Sequence, residues 1–375
     1  MNGKNKKEFH SFESYQPTDE KLKKSKSKKI VAINTWLKNH KKTVLIIIIA
    51  FAVILGGTLA YLFSTLQYGG AFTPFMAKPA EKVYSPLTGV EVEENASRRP
   101  VTAVMIENSP EARPQSGLKD CGVTFEAIAE AGITRFLCLY QEAQPELIGP
   151  VRSLRPYYIQ WLSAFDPTVA HVGGSAKALA EIRNGSYKDL DQFSNAQTYW
   201  RAKDRRAPHN VYTNFKNLNE ANQSKKFTTS VFKGFSRKDD APAATPNATA
   251  ISVPVSSTLF NSSYQYDAAT NSYARSQANK PHLDREKGQI SSKVVIVLQT
   301  AYSTINEDGP RESIQTIGTG AATIFQDGLA IPATWSKKSK TDQLTFTDAT
   351  NKNIDLNRGQ TWITAVPTTK VPTWK

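Results

Sequence analysis

The sequence predicts an α+β or α/β extracytoplasmic domain followed by a mostly β C-terminal domain, both behind a single transmembrane helix. Three observations carry that prediction. An uncharged apolar run follows a lysine-rich segment near the N-terminus; strand-like and helix-like patterns alternate from 85 to 235; short β-branched runs separated by turn residues fill 251–370.

The anchor comes first in the chain. Thr43–Gln67 reads TVLIIIIAFAVILGGTLAYLFSTLQ, and no charge falls between Lys42 and Lys78. A helix over 43–66 would reach ~36 Å, enough for the ~30 Å hydrocarbon layer. Residues 1–42 hold twelve lysines against Glu8, Glu13, Asp19 and Glu20. Lysines on that side put the N-terminus in the cytoplasm and the later residues outside. A cleaved signal peptide would need a far shorter basic segment. The tail 1–42, poor in large apolar residues, is expected to be disordered and held near anionic head groups. Residues 67–84 read as a stalk. The chain's formal charge of +14 is concentrated in this tail, so it signals topology and excludes the folded basic surface of a nucleic-acid binder.

The first domain is expected over 85–235. It offers a strand at Val101–Glu107, a hairpin of Phe125–Ala131 and Ile133–Tyr140 around Ala131-Gly132, and a helix at Pro156–Phe165. A strand at Thr168–Val172 leads through Gly173-Gly174 to a helix at Ala176–Arg183 with Ser175 as N-cap. A last helix, Thr213–Ser224, would be capped by Thr213. The Pro/Ala/Thr-rich stretch 236–250 reads as a linker. Beyond it the expected strands are Ile251–Val255, Tyr264–Tyr266, Lys293–Thr300, Gln315–Ile317, Ala321–Phe325, Leu344–Thr347 and Thr361–Val366. Cys121 and Cys138 are expected to be free buried thiols, because four further residues of strand (~13 Å) would hold them beyond disulfide reach.

Candidate chemistry gathers in the first domain. By strand parity Glu126 and Glu130 share one face, and Arg135 lies across the turn. The trio reads either as a hairpin-locking salt bridge or as the floor of a pocket. Arg152 and Arg155 follow Gly149-Pro150 at a helix start, where two guanidinium groups would suit phosphate or carboxylate. Surface arginines are the alternative. The loop His171-Val172-Gly173-Gly174-Ser175 could bring backbone donors to a ligand, with His171 otherwise structural. His209, after Pro208, is the better proton-transfer candidate, with Glu126 and Glu130 as the acids. Hydrolase, P-loop, zincin and dinucleotide signatures are absent, and no metal or cofactor is expected.

The motifs together resemble the YerB-like family of bacterial envelope lipoproteins, a domain of unknown function. The resemblance rests on Pro86-Leu87-Thr88-Gly89, the run RPVTAVMIEN at 99–108, the run ARPQSGL at 112–118, Gly132-Ile133-Thr134-Arg135-Phe136, and the run IGPVRS at 148–153. It continues through the His171–Ser175 loop, Ala207-Pro208-His209-Asn210, Thr334-Trp335-Ser336-Lys337 and the run NRGQTW at 357–362. It implies a bacterial, extracytoplasmic protein with N- and C-terminal subdomains and no established reaction. Members commonly carry a lipid-modified cysteine where this chain has an apolar helix. The expected partners are the membrane and one of peptidoglycan, an anionic cell-wall polymer or an envelope protein, with Arg135, Arg152, Arg155, His171, Gly173, Gly174 and Ser175 as ligand contacts. The alternative is an enzyme acting on cell-wall glycan or a lipid-linked precursor.

Overall fold

The computed structural model describes residues 31–67, 82–307 and 309–375. It divides into two compact units, Met1–Ala80 and Glu81–Lys375. In the first, Lys41–Gln67 is one helix of 27 residues, ~40 Å long, and the only described helix long and apolar enough to cross a membrane. Backbone N-terminal to it is already helical from residue 31, which corrects the disorder expected up to 42. Ile33, Trp36 and Leu37 supply helical spacing there, and continuation into an existing helix avoids the cost of a separate nucleus. Residues 1–30 of the expected tail and 68–81 of the expected stalk lie outside the described residues.

The second unit is built on a ten-stranded sheet. Five of its strands come from the first expected domain: β1 (Thr102–Glu107), β2 (Val123–Glu130), β3 (Ile133–Tyr140), β4 (Thr168–His171) and β5 (Lys188–Asp191). Their order is β2-β3-β1-β4-β5, with the last two pairings parallel. The other half runs outward from β2 through Thr361–Pro367, Val294–Thr300, Gly318–Gln326, Leu329–Lys337 and Thr345–Thr347. The halves join where Val123–Glu126 pairs in parallel with Thr361–Thr364. The first part of the unit is thus α/β and the second mostly β. Ala131 (φ 47°) and Gly132 (φ 79°) turn the β2–β3 hairpin, and glycine suits the left-handed position.

Alternation along the strands sends side chains to two cores. On one face Met105, Phe125, Leu137 and Ile296 meet the helix Pro156–Leu162; on the other Val104, Phe136, Cys138 and Trp362 meet a smaller sheet. That sheet holds Ala250–Val253, Ser262–Asp267, Ser272–Gln277 and Thr373–Trp374. Helices Ala176–Asn184 and Phe215–Lys225 complete the first half, the latter capped by Asn214 rather than Thr213. Asn214 Oδ1 accepts from Asn217 N–H at 2.8 Å, whereas the Thr213 hydroxyl donates to the Thr198 carbonyl.

The stretch 236–250 is tied down along its length. Arg237–Lys238 pairs with Leu356–Asn357, and the N–H groups of Ala243, Asn247 and Ala248 donate to the Asp327–Gly328 turn. Its low apolar content reflects hydrogen bonding of backbone at the rim of the sheet. The Gln315–Ile317 strand is also displaced: the strands there are Pro310–Ile314 and Gly318–Gln326, with Gln315–Ile317 the connection between them.

Both cysteines are free and buried. The spacing argument for keeping them apart fails, however. Thr124 Oγ1 lies 3.1 Å from Cys121 Sγ and 3.9 Å from Cys138 Sγ. Cys121 folds back along the strand, its thiol on the Val123 carbonyl, so rise per residue overstates the separation.

Candidate functional site

The seven ionisable residues singled out from the sequence divide among four carboxylate-centred groups. Glu126 and Glu130 are parted by a register shift between Ile128 and Glu130, which turns Glu130 to the other face and overrides parity. Tyr157, on the helix Pro156–Leu162, fixes this irregularity by donating to the Ile128 carbonyl at 2.8 Å. Glu130 meets Arg155, Arg135 at 3.5 Å and Arg311 at 3.8 Å. Arg135 is nearly enclosed, and burial pulls its guanidinium below the usual range. The hairpin-locking salt bridge is therefore the arrangement observed for Glu130.

Glu126 is fully enclosed, which places it away from any open cleft. Its carboxylate accepts from Arg275 Nη2 at 2.8 Å, Trp362 Nε1 at 3.0 Å and Thr134 Oγ1 at 3.0 Å. His171 is equally enclosed, between Asp189 Oδ1 at 2.9 Å and the Gly173 carbonyl at 2.8 Å. Burial acts to raise the Asp189 carboxyl, but the His171 hydrogen bond and charge outweigh it and lower the group. The Gly173 N–H donates to Asp191 Oδ1, and Ser175 caps the helix Ala176–Asn184. The Gly173 and Ser175 N–H groups of this loop are thus spent within the protein, the latter on the Leu154 carbonyl.

Arg152 and His209 do come together, on a carboxylate that sequence reasoning left in the background. Glu107 ends β1, and its Oε1 is 3.1 Å from Arg152 Nε, 2.9 Å from His209 Nδ1 and 2.9 Å from Ser109 Oγ. Backbone pairing brings Glu107, Arg152 and His209 together. Arg152 N–H donates to the Met105 carbonyl, Glu107 N–H to Pro150, and Val151 N–H to Val211 on the hairpin that carries His209. The side chain of Glu107 is 5% exposed, and its Oε2 is buried without a hydrogen-bond partner. Such an oxygen costs free energy unless something supplies a donor. Arg135 lies directly opposite Glu107 in the β1–β3 register.

His209 also lines a cavity of about 700 Å³ with Arg113, Arg205, Arg206, Arg285, Glu111 and Asp204. Four guanidinium groups face two carboxylates there. Arg205 is held by the Glu111 and Pro114 carbonyls, and Arg285 by Asp204 at 2.7 Å. Arg113 reaches Asn108 through Nε to Oδ1 at 3.1 Å and Nη2 to the carbonyl at 2.9 Å. Burial, then the nearby Arg275 charge, lower Arg113 to about 10. Four of the stretches behind the family resemblance, those ending in Glu107-Asn108 and those holding Arg113, Arg152 and His209, meet around this cavity. A larger cavity of about 820 Å³, near Leu162, Tyr187, Phe232 and Lys340, is lined by none of the predicted site residues. Arg285 was missed because it lies in the β-rich segment, where no motif of its own marks it. Among the described residues no group of three or more His, Cys, Asp or Glu side chains could hold a metal ion.

A two-part α/β and β unit with a basic cleft follows a helix long and apolar enough to span a membrane. Two family models match within that unit: the Protein of unknown function (DUF3048) N-terminal domain over residues 87–228 and the DUF3048 C-terminal domain over 251–363. The chain belongs to the DUF3048 family and is YerB-like. It is 30% identical over 293 residues to the putative lipoprotein YerB of Bacillus subtilis (strain 168), covering 77% of this chain and 87% of that protein. The crystal structure of YerB from Bacillus subtilis superposes with a TM-score of 0.71 at 28% identity, covering 78% of this chain and all of that one.

Proposed function

We propose that this is a membrane-anchored cell-envelope protein, N-terminus in the cytoplasm, whose folded unit binds an anionic cell-wall component in the cleft between Arg113, Arg206 and His209. The observation that carries this reading is the cavity with four guanidinium groups above Glu107, Arg152 and His209. Guanidinium forks match phosphate and carboxylate groups, and Arg206, exposed at the rim, is positioned to meet a ligand first. The helix Lys41–Gln67 and the lysines before it support the membrane placement and its direction.

The test is co-sedimentation of the full chain, in detergent, with purified walls before and after removal of their anionic polymer. Retention should require the polymer, fall with salt, and drop about tenfold in Arg206→Ala. Equal retention on stripped peptidoglycan would overturn the anionic reading.

One observation favours a second reading, an enzyme acting on wall glycan or lipid-linked precursor. Glu107 occupies His209 Nδ1, while Nε2 makes no hydrogen bond to the described residues, so this nitrogen could exchange protons with a bound ligand. Glu126, being enclosed, has no part in it. Fragments released from walls by the wild type but not by His209→Gln would establish this reading.

A further inference from the structure

Behind the cleft, six buried side chains close a hydrogen-bonded ring whose donors and acceptors agree in direction. Arg275 Nη2 donates to Glu126 Oε2 at 2.8 Å. Arg275 Nη1 also donates to His282 Nδ1, which places the His282 proton on Nε2, and that nitrogen donates to Gln115 Oε1 at 3.0 Å. Gln115 Nε2 donates to Asn108 Oδ1 at 3.0 Å, Asn108 Nδ2 donates to Thr134 Oγ1 at 2.6 Å, and Thr134 donates to Glu126 Oε1 at 3.0 Å. Every bond runs from guanidinium towards carboxylate. Members of the ring are at most 4% exposed.

Four members belong to the N-terminal segment, while Arg275 and His282 come from the C-terminal one. Asn108 is the point where the ring touches the cleft, because Arg113 rests on both its side-chain and its backbone oxygen. Asn108 Oδ1 can accept from Arg113 only if its amide nitrogen faces Thr134, and Thr134 can accept only if its own proton goes to Glu126. The orientation of Arg113 is thus set by a carboxylate two residues of the ring away. Burial, then Arg275 and Arg113, push the His282 imidazole well below its usual range, in keeping with the neutral tautomer the ring requires.

We propose that this ring positions Arg113 for anion binding, so that the C-terminal segment takes part in recognition through Arg275 and His282. The proposal rests on the anionic-ligand reading above for its function, and on geometry alone for the ring. Thr134, Gln115 and His282 are positioning residues that need touch no ligand.

The test is a double-mutant cycle on the full chain with poly(glycerol phosphate) as probe. Thr134→Val should weaken binding about tenfold, within the coupling expected inside one network. Thr134→Ser, which keeps the hydroxyl, should bind as the wild type does, and Thr134→Val should add less than twofold to Arg113→Ala. Independent, multiplicative losses would overturn the proposal, as would equal losses in the Val and Ser variants. Nitrogen-15 spectra of the ligand-free chain provide the separate arm, and Gln115→Met a second variant should Thr134→Val not fold. His282 should carry its proton on Nε2, and Arg113 Nε–H exchange should quicken in Gln115→Met. If the wild type ignores the probe yet both spectral results hold, the binding reading fails and the ring stands. A proton on Nδ1 of His282 would sink the ring itself.

Discussion

Replacing Arg275 by Met should be among the most damaging single changes to the folded unit. Arg275 and Glu126 are both fully enclosed and 2.8 Å apart. Burial acts to lower the Arg275 guanidinium, but Glu126 and then Tyr264 outweigh it, and the group is raised overall. The guanidinium also lies over the Trp362 ring, 4.5 Å from its centroid. Removing one partner leaves a buried carboxylate with only the Thr134 and Trp362 donors and a weaker Thr364 contact. Breaking a buried pair in this way costs ~3–5 kcal/mol. At ~2–4 °C per kcal/mol, the melting temperature should fall by roughly 10 °C. In Glu126→Gln/Arg275→Met the stranded charge is gone and only imperfect hydrogen bonds remain, costing ~1–3 kcal/mol. The assay is urea and thermal unfolding followed by tryptophan fluorescence. A single variant within about 1 kcal/mol of wild type, or a double no more stable than the single, would refute the assignment of stability to this pair.

Two further outcomes follow from the same structure and a third from the proposed membrane placement. The depressed His282 imidazole stays neutral when folded but titrates near 6.5 when unfolded, so stability should fall as pH drops below that value, by up to ~1.4 kcal/mol per pH unit; urea midpoints between pH 7.5 and 5.5 should show a shallower decline in His282→Gln. Burial lowers the Lys337 amine to about 8, so stability should rise as pH climbs from about 8 towards 10.5, and Lys337→Met should flatten that rise in denaturation curves. A tag at Met1 should be protected from external protease on intact cells and one after Lys375 digested, and the opposite pattern would reverse the membrane orientation.

What could be read from the sequence was local. The membrane-length helix, the hairpin at Ala131-Gly132, the Ser175 cap and most strand positions follow from patterns spanning ten or so residues. The partners of charged side chains did not follow, because each is set by chain segments far apart. Glu126 meets an arginine 149 residues later, and His209 meets a glutamate 102 residues earlier. Parity failed at Glu130 because a single irregularity after Ile128 reverses every following side chain. Arg152 and His209 meet through Glu107, a carboxylate that looked from its strand like one more end-of-strand acid.

The junction between the two halves explains why the matched N- and C-terminal domains occur within one compact unit. The β2 pairing with Thr361–Thr364 covers the edge of each half-sheet, and an uncovered edge of such apolar strands would be open to pairing with another chain. Glu126 and Trp362 sit at that same junction, and Arg275 reaches it from the smaller sheet. Separating the halves would therefore expose two strand edges and leave Glu126 and Arg275 without one another. The buried pair ties the register of the junction to the ring behind Arg113, because a one-residue slip of Thr361–Pro367 would turn Trp362 and Thr364 away from Glu126. Stability of the sheet and the shape of the cleft consequently depend on the same two charged side chains, neither of which a ligand can touch.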